Sequence, residues 1–248
     1  MSISLCMIVK NEEKNLSELL PNINKYFEEI IIVDTGSTDK TKKVAEKFTD
    51  KIFDFKWTDD FSEARNFSIT KATKEWILIL DADERITEKD LEKLKELTNK
   101  KEVIAYKFEQ RNYSNKEKPI KWRESAADTY EESKQYKGWQ YRGIIRLFRN
   151  DKRIKFEYPI HETVLPSIEK TKQKIQNANI PIHHYYTLEG KEDTYYKILK
   201  EKLKTQPTAH TYAELAIHCY ETNKKEEAET YKKEAIKLNK AMNFLDKY

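Results

Sequence analysis

An α/β fold, a mixed sheet flanked by helices, is predicted by three features of the chain. Strand-like and helix-like segments alternate three times within about the first hundred residues, the pattern of parallel strands joined by covering helices. The strands are short apolar runs, as expected where both sheet faces are buried. One of them, Trp76-Ile77-Leu78-Ile79-Leu80, ends abruptly in Asp81-Ala82-Asp83-Glu84. These acids would stand at the carboxyl edge of the sheet, where open α/β sheets bind their ligands.

The first strand, Ile3–Val9, leads through Lys10-Asn11-Glu12-Glu13 into a helix whose apolar residues at 16, 19, 20, 23 and 27 share one face. Pro21 lies inside it and predicts a kink or restart, because it lacks a backbone donor. Residues 30–33 form the second strand, which ends at Asp34-Thr35-Gly36-Ser37-Thr38-Asp39. A turn at Gly36 then opens a helix through Val44, Ala45 and Phe48, with Ser37, Thr38 and Asp39 available as caps. A short strand at 52–55 precedes Thr58-Asp59-Asp60 and a helix over about 61–72 that carries Arg65 and Asn66. After the Trp76 strand, Thr87-Glu88-Lys89-Asp90 has capping-box spacing, and Leu91, Leu94 and Leu97 continue that helix.

Beyond a strand at 103–108 the texture changes. Residues 112–137 are polar with scattered Tyr and Trp and no period, which predicts a functional or mobile loop. Strands resume at 144–149, 154–157 and 180–185, expected to pair antiparallel and make the sheet mixed. From Gly190 the pattern is helical only. Residues 209–240 follow the tetratricopeptide pattern of roughly 34 residues, with Tyr212, Leu215, Ala216, Cys219, Tyr220, Ala228, Tyr231 and Ala235 at its apolar positions. Lys232 stands where a second aromatic is usual and Lys240 where Pro is usual. One repeat cannot bury its own face. It is therefore expected to pack on the α/β domain, on the helix around 195–203, or on another protein, including a second copy. The predicted domains are 1–188, with halves at 1–100 and 101–188, and the small all-α extension 189–248.

A charged fraction of 36% is offset by interleaved signs, so the net charge is only +4 and nothing points to nucleic acid. Cys6 and Cys219 sit in apolar patterns and read as small buried hydrophobes, which fits a reducing cytoplasm. The apolar start, Met1 to Val9, is too short for a signal peptide, and no run approaches the roughly 18 residues of a membrane span. A soluble protein is expected, with peripheral contact to anionic lipid still open. With only 4 Gly, the chain has neither a Walker sequence nor G-x-G-x-x-G. Asp81 and Asp83, two apart at a strand end, would together make a hard oxygen site for Mg²⁺ or Mn²⁺ carrying a phosphate. The plainer alternative is a solvated loop or a helix cap.

Six segments in order, 7–13 (Met-Ile-Val-Lys-Asn-Glu-Glu), 33–39 (Val-Asp-Thr-Gly-Ser-Thr-Asp), 60–66 (Asp-Phe-Ser-Glu-Ala-Arg-Asn), 80–84 (Leu-Asp-Ala-Asp-Glu), 146–149 (Arg-Leu-Phe-Arg) and 160–162 (Ile-His-Glu), bear a collective likeness. Over residues 3–186 the sequence resembles inverting family 2 glycosyltransferases of the GT-A fold, particularly small bacterial and archaeal members with C-terminal tetratricopeptide helices. The resemblance implies a nucleotide-diphosphate sugar donor, UDP-linked above all, and a glycan, lipid-linked or peptide acceptor.

It also implies roles for particular residues. Asp34 would hold the base by accepting from the uracil imide N–H, its alternative being a turn residue that caps a helix. Arg65 would reach base or diphosphate, or else pair with Glu63 or another acid. Asp81 would touch ribose or a metal-bound water. Asp83 would hold the divalent ion, and Asn11 and Glu12 would shape the nucleotide-facing loop. Glu162 would be the base that deprotonates the acceptor, with Asp128, Glu131 and Glu132 as rivals. His161 reads as a structural donor. His184 would complete the metal shell or contact phosphate, although Tyr186 replaces the Gly usual two residues beyond it.

Two other classes compete with this reading. A non-catalytic protein-binding module could keep the fold, and a nucleotidyltransferase could use a similar sheet. The intact acids oppose the first and the missing Gly-rich loop the second. Trp122 and Trp139, in the aromatic and charged stretch 112–141, would line the acceptor side.

Overall fold

The computed structural model describes residues 2–117, 121–185 and 192–240. The chain divides into two compact units, residues 1–186 and 187–248. In the first, β1 (Ile3–Val9), α1 (Glu13–Ile23), β2 (Glu29–Asp34), α2 (Thr41–Ala45), β3 (Ile52–Asp54), α3 (Phe61–Thr70) and β4 (Trp76–Ile79) alternate as expected. Then follow β5 (Glu84–Arg85), α4 (Glu88–Thr98), β6 (Val103–Ser114), β7 (Trp122–Glu124), β8 (Gly138–Arg149), α5 (Leu165–Glu169) and β9 (Lys174–His184).

All nine strands join one sheet in the order β3-β2-β1-β4-β8-β6-β9-β5, with β7 added beside β8. The β3-β2-β1-β4 half is parallel. From β4 to β8 and β8 to β6 the pairing is antiparallel, β9 runs parallel to β6, and β5 is antiparallel to β9.

Side chains alternate across this sheet and meet helices on both sides. Ile3, Leu5, Met7 and Val9 of β1 pack with Leu16, Leu19 and Leu20 of α1 and Leu91 and Leu94 of α4. Cys6 faces the other way, into a core with Ile31, Ile77, Phe148 and Phe156 and with Phe67 of α3 and Ile168 of α5. Covering both faces is what lets β1 be apolar from Leu5 to Val9 and β2 from Ile30 to Val33.

Several elements depart from the sequence expectation. Helix α1 runs on through Pro21 to Ile23 before tightening into a 3₁₀ turn at Asn24–Tyr26. Because Pro21 is in the last turn, its missing donor costs only a bond near the helix end. Asp39 accepts from Thr41 N (2.9 Å) at the start of α2, whereas Ser37 and Thr38 are bonded to Asn11. The expected cap Thr87 does accept from Asp90 N at α4. Residues 154–157 are not a strand. Ile154 and Phe156 are buried from a loop, and the segment makes one isolated bridge, Glu157 to Thr163. Nor is 112–137 a featureless loop, since β6 runs on to Ser114 and Trp122–Glu124 pairs with the start of β8. Strand β9 is longer than expected and parallel to its β6 neighbour.

In the second unit, α6 (Glu192–Thr205), α7 (Ala209–Glu221) and α8 (Lys225–Leu238) follow one another. Of the apolar positions in the expected repeat, Leu215, Ala216 and Cys219 of α7 and Ala228, Tyr231 and Ala235 of α8 are buried, whereas Tyr212 and Tyr220 are only partly so. The preceding helix supplies cover. Lys200 Nζ donates to Tyr231 Oη (2.7 Å), and Lys202 pairs with the buried Glu214 (3.1 Å). Among the described residues no helix is long and apolar enough to cross a membrane.

Candidate active site

The carboxyl ends of β1, β2 and β4 lie along one edge. Val9 is in register with Asp34, and Cys6 with Ile79, so the turn after β2 and the acids after β4 flank β1 on either side. Asp34 is 2% exposed. Its Oδ1 accepts from Gly36 N (2.9 Å) and Ser37 N (2.8 Å), whereas its buried Oδ2 has no partner among the described residues. Gly36 has φ +107, a left-handed conformation that favours glycine at this turn. Asn11, itself at φ +56, ties this turn to the end of β1. Its N donates to Ser37 Oγ (2.8 Å), and its Oδ1 accepts from Thr38 N (2.8 Å). Glu12 N donates to Thr41 Oγ1 (2.7 Å), and its carboxylate accepts from Asn15. Both residues thus build the loop that frames Asp34.

A ladder of alternating charge crosses the floor of the edge. Arg65, projected inward from α3, donates from Nε to Glu162 Oε1 and from Nη2 to both oxygens of Asp81 (2.9 and 3.1 Å). Arg146 Nη2 donates to Asp81 Oδ2 and to Glu84 Oε1, each at 2.8 Å, and Gln110 Nε2 also donates to Glu84 Oε1. Glu84 Oε2 closes the turn by accepting from Asp81 N (2.9 Å). Burial alone would favour the neutral acid at Asp81. The guanidinium charges of Arg65 and Arg146 outweigh it and hold that carboxyl well below the usual range. Arg65 Nη1 and Arg146 Nε are buried and have no partner among the described residues.

Asp81 and Asp83 take different partners. Asp81 turns to the arginines, whereas Asp83 Oδ2 lies 3.4 Å from His184 Nε2. His184 Nδ1 in turn meets Asn112 Oδ1 at 2.6 Å. Burial opposes charge on His184, but the hydrogen bond and charge of Asp83 prevail and raise its pKa. Among the described residues no group of three or more His, Cys, Asp or Glu forms a metal cage. The Asp83 and His184 pair nonetheless suits a Mg²⁺ or Mn²⁺ ion that brings phosphate oxygens and water, since such ions take one or two protein ligands and keep the rest of their shell.

Glu162 comes from a loop between Glu157 and Thr163, which bond each other's backbones (2.9 and 3.1 Å). Tyr158 (φ +77) and His161 (φ +55) bend it sharply, and Phe61 N holds it by donating to Pro159 O (2.9 Å). Two of its rivals are held by other cations. Asp128 pairs with Arg111 (2.8 Å), and the exposed Glu131 pairs with Lys134.

Arg111 in turn lies over the rings of Tyr130 and Trp139 (4.9 and 4.5 Å). Tyr113 stacks on Tyr136 and shares a hydrogen bond with the fully buried His183 Nδ1 (2.6 Å). This cluster occupies the sheet face opposite His184, because neighbours along a strand alternate. Trp139 is therefore 4% exposed packing and not an acceptor wall. Trp122 is different. It is half-buried and lies against Gly138, where an added Cβ would come within 2.5 Å of the indole.

Asp34, Arg65, Asp81, Asp83, Glu162 and His184 thus stand along one edge, with Asn11 and Glu12 behind the turn. Arg65 binds acids there instead of pointing away, and its partners are Asp81 and Glu162 instead of Glu63. Four site residues had no role in the sequence reading: Arg146 and Glu84, which fall inside the matched segments 146–149 and 80–84, and Gln110 and Asn112, which fall in none. A charge inside the apolar run Ile144-Ile145-Arg146-Leu147-Phe148 was a further signal for the first. A groove of about 650 Å³ among Thr73, Glu75, Lys101 and Arg149 lies at the opposite edge and holds none of these groups.

Residues 4–185 match the profile of glycosyl transferase family 2. A TPR repeat-containing protein of Synechococcus elongatus is 33% identical over 189 residues, 74% of this chain and 42% of its own. The glycosyltransferase SunS of Bacillus subtilis is 30% identical over 163 residues, 65% of this chain and 34% of its own. The chain therefore spans less than half the length of these relatives. Among solved structures, Staphylococcus aureus TarS with UDP-GlcNAc superposes with TM-score 0.54 at 15% identity, covering 99% of this chain and 84% of that one. A mannosyltransferase of Pyrobaculum calidifontis with GDP-Man and Mn²⁺ gives 0.52 at 15% identity, covering 94% and 74%. These likenesses establish the GT-A fold.

Proposed function

Because the chain belongs to glycosyl transferase family 2, we propose that it transfers a sugar, with inversion, from a nucleotide-diphosphate donor to an acceptor hydroxyl or thiol. The observation that supports this reading is that the buried Asp34 carboxylate, the Asp83 and His184 pair and the Glu162 carboxylate fixed by Arg65 stand along one edge. Asp34 Oδ2, buried and unpartnered, suits an imide N–H, which favours a uracil base. Asp83 and His184 would hold Mg²⁺ or Mn²⁺, whose charge stabilises the departing diphosphate. The solved relatives bound to UDP-GlcNAc, and to GDP-Man with Mn²⁺, support both assignments.

Asp81 acts behind this pair. Held by two guanidiniums, it keeps Arg65 in place and orients the turn that presents Asp83. Glu162 is the base: Arg65 fixes Oε1, so Oε2 has a set direction in which to take the acceptor's proton as the nucleophile attacks the anomeric carbon. Trp122, at the outer end of the strand ribbon, offers an aromatic face for a glycan, lipid-linked or peptide acceptor. Two buried, unpaired cysteines fit work in a reducing cytoplasm.

Calorimetry with UDP and Mn²⁺ tests the reading together with release of UDP from a panel of nucleotide sugars. Binding linked to metal and turnover of one donor are expected, and Asp83→Ala should abolish turnover while the protein stays folded. Undiminished turnover in that variant or in excess chelator removes the metal mechanism, and an absence of nucleotide binding leaves a scaffold.

A further inference from the structure

We infer that Asn112 is the positioning residue for His184: it fixes which ring nitrogen faces Asp83 and so prepares Nε2 to ligate a divalent cation. This rests on the donor-site reading above. Asn112 lies on β6, directly between Gln140 of β8 and His184 of β9 in the sheet register, and His184 is next to Glu84 of β5. One row of the sheet therefore carries all four residues.

The direction of the Asn112 amide is set by its neighbour. Asn112 Nδ2 donates to Gln140 O at 3.2 Å, and that bond turns Oδ1 towards His184. A carbonyl oxygen can only accept, so the 2.6 Å contact makes His184 Nδ1 the donor. Nε2 is then the nitrogen left for a cation, which would displace its proton on the side where Asp83 Oδ2 lies 3.4 Å away. That spacing would let both side chains reach one divalent ion. The amide thus does for His184 what outer-shell carbonyls do for metal-binding imidazoles generally: it fixes tautomer and ring orientation. The backbone of a paired strand supplies the fixed point, because Gln140 O belongs to the β6–β8 ribbon.

The test is calorimetric titration of Mn²⁺ into protein saturated with UDP, in a double-mutant cycle of Asn112→Leu and His184→Ala, with Asn112→Asp as the conservative variant. Asn112→Leu should weaken Mn²⁺ binding about tenfold or more. Asn112→Asp, which keeps an acceptor against Nδ1, should bind Mn²⁺ close to wild type. In the His184→Ala background Asn112→Leu should have no further effect, because its role runs through the imidazole.

Binding unchanged by Asn112→Leu, or an equal loss with and without His184, overturns the assignment and marks Asn112 as part of the ribbon only. His184→Ala binding Mn²⁺ like wild type overturns the metal reading itself. That outcome is distinct, because it appears in the single variant. Matching thermal transitions of all variants exclude unfolding as the cause.

Discussion

Arg146 reaches Asp81 because it is the residue that the β6–β8 ladder skips. Tyr106 pairs with Leu147 and Lys107 with Ile145, so Arg146 is the extra residue of a bulge, and its Nη2 lies 2.8 Å from Asp81 Oδ2. A bulge re-aims one side chain without ending the strand. Here it delivers a buried cation to two acids, one of which, Glu84, is fully buried.

Removing that cation should therefore be costly. Arg146→Ala leaves Asp81 and Glu84 short of charge compensation, and roughly 3 to 5 kcal/mol of stability should be lost in urea denaturation. Adding Glu84→Gln should recover part of it. A loss under about 1 kcal/mol, the scale of an exposed pair, would show that the ladder is solvated.

At Asp34 a change of one atom separates structure from recognition. Asparagine can keep Oδ1 on the amides of Gly36 and Ser37, but it places an NH₂ where the unpartnered Oδ2 stands. Asp34→Asn should melt close to wild type and bind UDP at least about tenfold more weakly, since a donor would face the imide N–H. Equal UDP affinity would move the base elsewhere.

The parallel half of the fold was legible because each of its strands is a closed apolar run and each helix shows its own face. The antiparallel half was legible in part: strands at 103–108 and 144–149 and a mixed sheet were expected and found, whereas the ribbon beyond them was not. Residues 112–114 and 122–124 are polar and form a narrow ribbon whose pairing depends on partners far along the chain, such as Asn112 with Gln140. Local pattern cannot report such partners. Ile154 and Phe156 misled in the opposite sense, since their alternation reflects a loop pressed on Phe148 and not a ladder. In the site, spacing marked Asp81, Asp83 and Asp34, which stand where strands end. It could not show that Asp81 belongs to two arginines, because Arg65 and Arg146 arrive from positions 16 and 65 residues away.

His183 should give stability a pH dependence of its own. Burial first, and then the charge of Arg111, push its pKa down to about 4 against the opposing Asp90 and Asp128. The unfolded imidazole binds its proton at about 6.5, so between these values the unfolded chain holds more protons and stability falls as pH falls. The contribution is whole above about 6.5, and roughly 3 kcal/mol of it is lost by pH 4. His184 has the opposite sign. Its raised pKa adds stability at low pH that is lost as pH rises through the folded value. Urea midpoints across this range should therefore slope less in His183→Phe than in wild type, and parallel slopes would refute a neutral buried imidazole.

Glu162→Gln distinguishes chemistry from binding. Glutamine keeps an oxygen for Arg65 Nε, so the loop closed by the Glu157 to Thr163 bridge should hold its shape. What it loses is the capacity to take a proton. Turnover of whichever nucleotide sugar the wild type consumes should fall by about 10²- to 10⁴-fold, the usual contribution of a positioned base, while UDP affinity in Mn²⁺ stays close to wild type. Asp128→Asn, which removes the counter-ion of Arg111 on the other face of the ribbon, should spare turnover. If instead Asp128→Asn abolishes turnover and Glu162→Gln does not, the base lies in the segment before β8, and the Arg65 to Glu162 bond is a structural clamp alone.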